Sequence, residues 1–331
     1  MGASTAMQEV YGRIQRFGPS PVPILVLGET GTGKDLCAHA LWEADGRRGP
    51  FVPVNCAAIP ETLIDSELFG HEHGAFTGAT RTRGGLIAQA DRGILFLDEL
   101  AELSLATQAK LLRTIETGEY RPVGSDRTLR SRFRVIAATR PDIDRLVKQH
   151  RFRPDLLHRL GAVRIHMPPL RARVEDIPVL VNAFLAGYRE RNRGRGPTSA
   201  TQEALELLRG AAWPGNVRQL RNVVEAAAAS AGTNPRIEPT DVLDFLPLWT
   251  VVPTEDDEPF LSLSARVLWA EERAVLEALA RAKGNRREAA RLLDISVATL
   301  YRKLGTLRRD GRFPSLLPEV DSQTGESDSQ T

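Results

Sequence analysis

Short apolar runs alternate with longer stretches of helical periodicity through the first half of the chain. Ile24–Leu27, Phe51–Asn55, residues 94–97 and Arg134–Thr139 are compact and apolar, as buried strands are. Residues 1–17, 35–44, 61–68 and 105–117 carry apolar side chains at helical spacing; in 35–44, Leu36, Ala40, Leu41 and Ala44 fall on or near one face. This alternation predicts a parallel sheet wrapped by helices on both faces. From residue 174 to about 245 the strands stop, and helices are predicted at 176–191, 199–211 and 217–231, broken by an Arg/Gly/Pro run at 191–197 and by Trp213-Pro214-Gly215. Residues 247–259, rich in proline and acids, read as a linker.

Three further helices are predicted at 265–282, 286–293 and 297–307. Gly284-Asn285 separates the first two, and Asp294-Ile295-Ser296 forms a tight turn with Ser296 as N-cap of the last. In that last helix Val297, Leu300, Leu304 and Leu307 make an apolar stripe and leave Thr299, Arg302, Lys303 and Thr306 on other faces. This is the layout of a helix-turn-helix. The expected organisation is an α/β domain at 1–172, a helical domain at 173–246, a linker at 247–262, the helix-turn-helix at 263–312 and a disordered tail at 313–331.

Composition and charge sharpen this. With 331 residues and 42% apolar residues the chain can build two or three cored domains. No apolar run approaches bilayer length and no secretory signal is visible, which predicts a cytoplasmic protein without a membrane partner. The net charge of +2 conceals an asymmetry: residues 264–312 hold twelve Lys/Arg against six Asp/Glu, and the last nineteen residues hold four acids and no base. A polyanion partner is therefore expected for the C-terminal module alone. Cys37 and Cys56 lie in no metal or redox spacing and read as buried free thiols, and His71-Glu72-His73 lacks the helical spacing of a zinc site.

The candidate chemistry centres on Gly28–Asp35, GETGTGKD, between a strand and a helix. Gly28, Gly31 and Gly33 permit a tight turn whose amides point at phosphate oxygens, and Lys34 adds charge near the terminal phosphates. The implied ligand is a nucleoside triphosphate, held by Gly28, Glu29, Thr30, Gly31, Thr32, Gly33, Lys34 and Asp35. The strand at 94–97 ends in Asp98 and Glu99, where one carboxylate can organise Mg2+ and the next orient a water. Arg286 and Arg287, with Ser296, Thr299, Arg302 and Lys303, are the candidate DNA contacts.

From residue 7 to about 307 these motifs resemble the sigma-54-dependent transcription activators, which join an AAA+ P-loop ATPase and a small all-α lid to a Fis-type helix-turn-helix. The most specific piece is ELFGHEHGAFTGA at 67–79, in which Gly74, Ala75, Phe76, Thr77, Gly78 and Ala79 match the family hexapeptide that contacts sigma-54. The resemblance implies that Asn55 is the switch asparagine, Glu99 the catalytic glutamate, Asp98 the Mg2+ organiser and Thr139 the first sensor. It further implies that Arg153 and Arg159 in FRPDLLHRL are fingers reaching a neighbouring subunit, and that Arg218 in WPGNVRQL contacts nucleotide. Residues 168–177 would join the lid, and residues 120–132 would form a second substrate-side loop.

Two positions depart from common patterns: Asp35 replaces the Ser or Thr of generic phosphate loops, and Arg140 follows Thr139 where the family generally has Asn. The sensing domain usual upstream has no counterpart, which leaves activity constitutive, controlled by a regulatory protein in trans, or governed by a part not included. The expected function is an ATP-hydrolysing homo-oligomeric ring, a hexamer, that binds double-stranded enhancer DNA and remodels sigma-54 RNA polymerase to open promoters. The alternative is a DNA-binding regulator independent of sigma-54 that uses its ATPase fold only to oligomerise.

Overall fold

The computed structural model describes residues 2–46, 49–246, 274, 275, 278, 281, 282 and 285–300, in two units that divide after Val251. The strands of the first unit are β1 Ile24–Leu27, β2 Phe51–Asn55, β3 Gly70–His71, β4 Arg83–Gly84, β5 Ile94–Asp98, β6 Glu119–Tyr120, β7 Leu129–Arg130, β8 Arg134–Thr139, β9 Val163–His166, β10 Ser199–Ala200 and β11 Arg236–Ile237. Its helices are α1 Thr5–Phe17, α2 Lys34–Asp45, α3 Glu61–Phe69, α4 Leu86–Gln89, α5 Leu105–Thr117, α6 Ile143–Lys148, α7 Pro154–Leu160, α8 Ile177–Arg191, α9 Gln202–Gly210, α10 Asn216–Ala231 and α11 Pro239–Leu243. Among the described residues no helix is long and apolar enough to cross a membrane.

A parallel sheet in the order β2-β5-β8-β1-β9 organises the first unit. Because side chains alternate across a strand, its central strands feed two cores at once. Leu25, Leu27, Leu95, Leu97, Val135 and Ala137 face a core closed by α3 to α7, through residues such as Leu68, Leu111 and Leu160. Ile24, Val26, Ile94, Phe96, Ile136 and Ala138 face the other, closed by Met7, Val10 and Ile14 of α1 and Cys37, Ala38 and Leu41 of α2. Burial on both faces explains why these strands read as unbroken apolar runs. The strand order reverses around β1, so the loop leaving β1 sits at the switch point where ligands bind such sheets.

Several local outcomes differ from the sequence expectation. Helix α1 begins at Thr5 rather than at residue 1, because Ser4 caps it, its Oγ accepting from Met7 N at 3.3 Å. The edge strand β9 escapes the apolar pattern: Arg164 and His166 alternate with Val163 and Ile165, as an edge position allows. The helical domain has its own core, from Leu170 and Ile177 through Trp213 and Val224 to Val242, but it is not free of strands. Ser199–Ala200 pairs in parallel with Arg236–Ile237, a ladder too short to leave a periodic signal.

In the second unit, α12 (Arg286–Leu292) is capped by Asn285, whose Oδ1 accepts from Arg287 N at 3.1 Å and Glu288 N at 3.3 Å. Val275, Ala278, Ala289, Ala290 and Leu300 form a small core. Ser296 Oγ accepts from Thr299 N at 3.1 Å, the N-cap of a turn that runs to Leu300. The linker at 247–262, most of the helix predicted at 265–282, the part of the last predicted helix beyond residue 300 with Arg302 and Lys303, and the tail lie outside the described residues.

One buried cation ties the ends of the sheet layer together. Arg134, at the start of β8, donates to Phe17 O at 2.8 Å, Gly18 O at 2.6 Å, Val22 O at 3.0 Å and Asp45 Oδ1 at 2.8 Å. The side chains of Arg134 and Asp45 are 1% and 2% exposed. Removing one member of such a pair strands the other charge, which costs about 3–5 kcal/mol. Arg134→Ala is expected to lower unfolding free energy in urea by about that amount, and a loss below about 1 kcal/mol would contradict the role.

Candidate functional site

In the loop between β1 and α2 the amides of Gly28 and Thr32 donate to Thr139 O at 3.2 Å and Glu29 O at 3.4 Å, and the carbonyls are held by partners around the loop. Gly31 and Gly33 hold φ values of 79° and 96°, which only glycine adopts without strain. Lys34 Nζ donates to Gly28 O at 2.9 Å and Glu29 O at 3.2 Å, and the side chain folds under its own loop, leaving the residue 6% exposed. Thr32 Oγ1 donates to Glu29 O at 2.8 Å. The next three carbonyls are taken by the lid and the segment leading to it: Thr30 O by Asn216 Nδ2 at 3.1 Å, Gly31 O by the amides of Val217 and Arg218 at 3.0 and 3.3 Å, and Thr32 O by Arg173 Nη2 at 2.9 Å. Gly28 needs to be small as well, since a Cβ there would lie 2.8 Å from Met167 Cβ.

Not every loop residue turns toward the cradle. The Glu29 carboxylate is held by Arg171 through two bonds of 2.6 and 2.8 Å and accepts from Asn216 Nδ2 at 3.1 Å. The Arg171 bonds, more than any other influence, hold it below the usual carboxylate range. Its side chain is therefore committed to the lid. Arg218 is exposed, placed beside the loop by its amide contact with Gly31.

The acidic pair stands at the carboxyl end of β5. Asn55 is in register with Asp98 across β2 and β5, and Cys56 N donates to Asp98 O at 3.0 Å. Burial lifts the Asp98 carboxyl above its ordinary value, while the Glu99 N–H at 2.9 Å and the charge of Lys34 oppose the shift and the charges of Glu99 and Asp35 add to it. Glu99 adopts the left-handed region, φ 52°. Asn55 Oδ1 accepts from Ala57 N at 3.0 Å and Ala58 N at 3.2 Å, and among the described residues no hydrogen bond joins it to Glu99. Thr139 ends β8 level with Leu27, and its buried Oγ1 has no partner among the described residues. Arg140, next in the chain, is exposed. An orphaned hydroxyl beside an acidic pair and a lysine suits a phosphate-bearing ligand with a hard cation. Among the described residues no three His, Cys, Asp or Glu side chains gather as a metal cage; Mg2+ ordinarily needs only one or two carboxylates plus substrate phosphates. Cys37 and Cys56 are buried free thiols, both pushed up to about 12 by burial, and are inert.

Arg153 occupies the cap position at the start of α7 and Arg159 lies in its last turn. Arg153 forms a two-point ion pair with Asp155 of its own chain, at 3.1 and 2.7 Å, and its amide donates to Gln108 Oε1 at 2.9 Å. Arg159 is exposed.

The hexapeptide closes on itself above a short stem, β3 paired antiparallel with β4. Gly74 N donates to Ala79 O at 2.9 Å and Ala79 N to Phe76 O at 3.0 Å, with Gly74 and Gly78 at φ 79° and 103°. Phe76 stays 39% exposed and meets His71 edge-on at 5.1 Å between ring centroids. The turn after β6 docks beside it: Glu72 N donates to Val123 O at 3.1 Å, Val123 N to Gly70 O at 2.8 Å, and Ala75 fills the space a Cβ of Gly124 would take. In the second unit Arg287 and Ser296 are exposed, Arg286 and Thr299 are placed on the described turns, and the Ser296 hydroxyl is engaged in capping.

Sequence reasoning missed Asn216, Arg171, Arg173 and Asp176. Asp176, fully buried, accepts from Ala3 N at 2.6 Å, Ser4 N at 2.8 Å and Ser4 Oγ at 2.7 Å, tying α1 to the lid. Arg173 is buried beside it, and desolvation pushes its guanidinium below the ordinary value. Two acids and two arginines in LRARVED resemble any solvated helix start, so no local signal distinguishes them; Asn216, after Pro214-Gly215 at a helix start, reads as an ordinary cap.

This geometry defines a P-loop ATPase of the AAA+ class with its lid seated on the phosphate loop. Residues 1–166 match the family described as sigma-54 interaction domain, residues 171–246 the AAA+ ATPase lid domain, and residues 268–307 the bacterial regulatory protein, Fis family. The chain is 45% identical to the transcriptional regulatory protein ZraR of Klebsiella oxytoca over 92% of its own length and 68% of that protein. It is 42% identical to the Nif-specific regulatory protein of Azotobacter vinelandii, over 93% of the chain and 58% of that protein. NtrX from Brucella abortus, solved in complex with ADP, superposes with a TM-score of 0.69 at 31% identity, over 93% of this chain and 69% of that one. The chain belongs to the sigma-54-dependent transcriptional regulators, ATPases that couple hydrolysis to transcription.

A raised carboxyl pKa means that the ionised form is disfavoured by folding, so ionised Asp98 costs stability above its folded pKa, and the cost disappears as pH falls through it. Asp98→Asn is therefore expected to raise the melting temperature at neutral pH. A lower melting temperature at neutral pH would contradict the assignment of strain to this carboxylate.

Proposed function

We propose that the chain works as a ring, a hexamer, that binds ATP with Mg2+, docks on upstream double-stranded DNA through its second unit and uses hydrolysis to remodel sigma-54 RNA polymerase at closed promoters. The loop amides and Lys34 hold the phosphates. Asp98 would hold Mg2+, which when bound neutralises phosphate charge. Glu99 orients the attacking water, Thr139 supplies its free hydroxyl to the terminal phosphate, and Asn55 gates Glu99 after leaving its own turn. Arg218 contacts nucleotide from the lid. Arg153, once released from Asp155, and Arg159 stabilise charge on the transferred phosphoryl group of the neighbouring subunit, a contribution of about 10³–10⁵ in rate where such fingers act. Arg286, Arg287, Thr299, Arg302 and Lys303 contact DNA, with Ser296 holding the helix that presents them.

The observation that carries the reading is the intact Gly74–Ala79 loop, closed by its own hydrogen bonds with Phe76 half in water. An exposed aromatic on a glycine-jointed loop calls for a partner. A regulator independent of sigma-54 has no use for such a loop, which disfavours the second reading.

Lys34→Ala is expected to lose ATP binding, whereas Glu99→Gln should bind ATP and hydrolyse it at least about 100-fold more slowly. Mixing Arg153→Ala with Lys34→Ala subunits should restore part of the hydrolysis that each lacks alone; full activity of Arg153→Ala by itself would remove the finger assignment. Phe76→Ala should retain phosphate release and DNA gel shift yet fail to open a sigma-54 promoter in permanganate footprinting. Normal opening by that variant, or no opening by the wild type in any nucleotide state, would overturn the sigma-54 mechanism.

A further inference from the structure

We infer that Asn216 is a positioning residue for nucleotide binding: by clasping the phosphate loop from the lid it makes seating of the lid and formation of the cradle one equilibrium. The inference rests on Gly28–Asp35 being the nucleotide site. Asn216 is 0% exposed and sits at φ 50°, a conformation that asparagine tolerates better than most residues. Both polar atoms of its side chain are spent, Oδ1 at the base of the lid and Nδ2 across the seam to the loop. Oδ1 accepts from Leu170 N at 2.8 Å, and Nδ2 donates to Thr30 O and to Glu29 Oε2, both at 3.1 Å. The backbones meet as closely: a Cβ on Gly31 would lie 2.3 Å from Gly215 O.

The two halves of the loop are held from different sides. Lys34 holds the carbonyls of Gly28 and Glu29, whereas the lid side holds those of Thr30, Gly31 and Thr32. A lysine that turns to a phosphate releases Gly28 O, whereas Glu29 O keeps its bonds from Thr32 Oγ1 at 2.8 Å and Thr32 N at 3.4 Å and the lid-side carbonyls stay held. Asn216 grips both residues of the Glu29–Thr30 peptide, next to the point of release. Nucleotide occupancy is thereby transmitted through Glu29 to Arg171 and Asn216, and by reciprocity anything that unseats the lid weakens phosphate binding.

A merely structural asparagine in the lid core would predict a different result. Asn216→Asp keeps the acceptor for Leu170 and the tolerance of positive φ, but it replaces the donated N–H groups with an acid facing Glu29. In the full chain it is expected to weaken ADP and ATP binding on the order of tenfold, within the usual range of such couplings, and to reduce protection of residues 28–33 in hydrogen exchange when nucleotide is added. Adding Glu29→Gln, whose amide can donate to the carboxylate introduced at position 216, should recover part of the affinity. Wild-type affinity in Asn216→Asp, or weakening that Glu29→Gln does not relieve, would overturn the clasp.

Should Asn216→Asp fail to fold, Arg171→Ala leaves the lid core untouched and is expected to loosen nucleotide binding several-fold; unchanged affinity there would equally overturn it. Lys34→Ala separates the two claims. If that control binds nucleotide as the wild type does, the site itself is misassigned, whereas loss in Lys34→Ala with no effect at Asn216 or Arg171 rejects the clasp alone.

Discussion

A phosphate cradle works only if several consecutive backbone amides are left unspent and pointed the same way, and most of this structure follows from that constraint. Backbone N–H groups in a folded protein are normally satisfied, and a loop that leaves them open must be held in shape by its other atoms. Here the carbonyls do that. Lys34 and Thr32 hold those at one end, and Asn216, Arg173 and the first amides of α10 hold the rest. The sheet supplies the rigid edge from which the loop departs, buried on both faces so that the carboxyl ends of β1, β5 and β8 keep their registration.

The buried polar residues divide this work. Arg134 satisfies the carbonyls of the α1–β1 connection and pairs with Asp45, which fixes the layer formed by α1 and α2. Asp176 receives the capped start of α1, and Arg173 beside it reaches both Met7 Sδ at 2.9 Å and Thr32 O. The start of the chain, the phosphate loop and the beginning of the lid thus share one desolvated cluster. The cluster is not fully satisfied: Arg173 Nε is buried with no hydrogen-bond partner among the described residues, a cost set against the bonds of its other nitrogens.

The parts that touch other molecules are built differently. The hexapeptide is held by its own backbone bonds, by Ala75 N donating to Glu72 O, by Ala75 against Gly124 and by an edge-on ring contact with His71, and glycine at both shoulders makes its shape cheap to change. Arg153, just before α7, and Arg159 within it stand at the surface, Arg153 in an exposed pair with Asp155, an interaction of little net strength. The rigid seam and the loose contact elements therefore sit in one unit.

Much of this was legible in the residues themselves. The central strands could be read because burial on both faces demands continuous apolar runs; the phosphate loop, because glycine and lysine at that spacing have few other uses; the cap Ser296, because its chemistry is local. The sequence by itself thus determined the central strands, the glycine-rich loop after the first of them and the acidic strand end, all of them properties of residues close together in the chain. Only the tertiary structure decided that Glu29 faces the lid instead of the phosphates, that Asn55 rests in its own turn, that Val163–His166 closes the sheet edge, and that Asn216, Arg173 and Asp176 hold the nucleotide loop and α1. Those partners lie between 141 and 187 residues apart for the bonds of Arg173 to Thr32, Asp176 to Ser4 and Asn216 to Glu29. A hydrogen bond has no periodicity along the chain, so a polar side chain that is buried by a distant segment looks, in sequence, like one left in water.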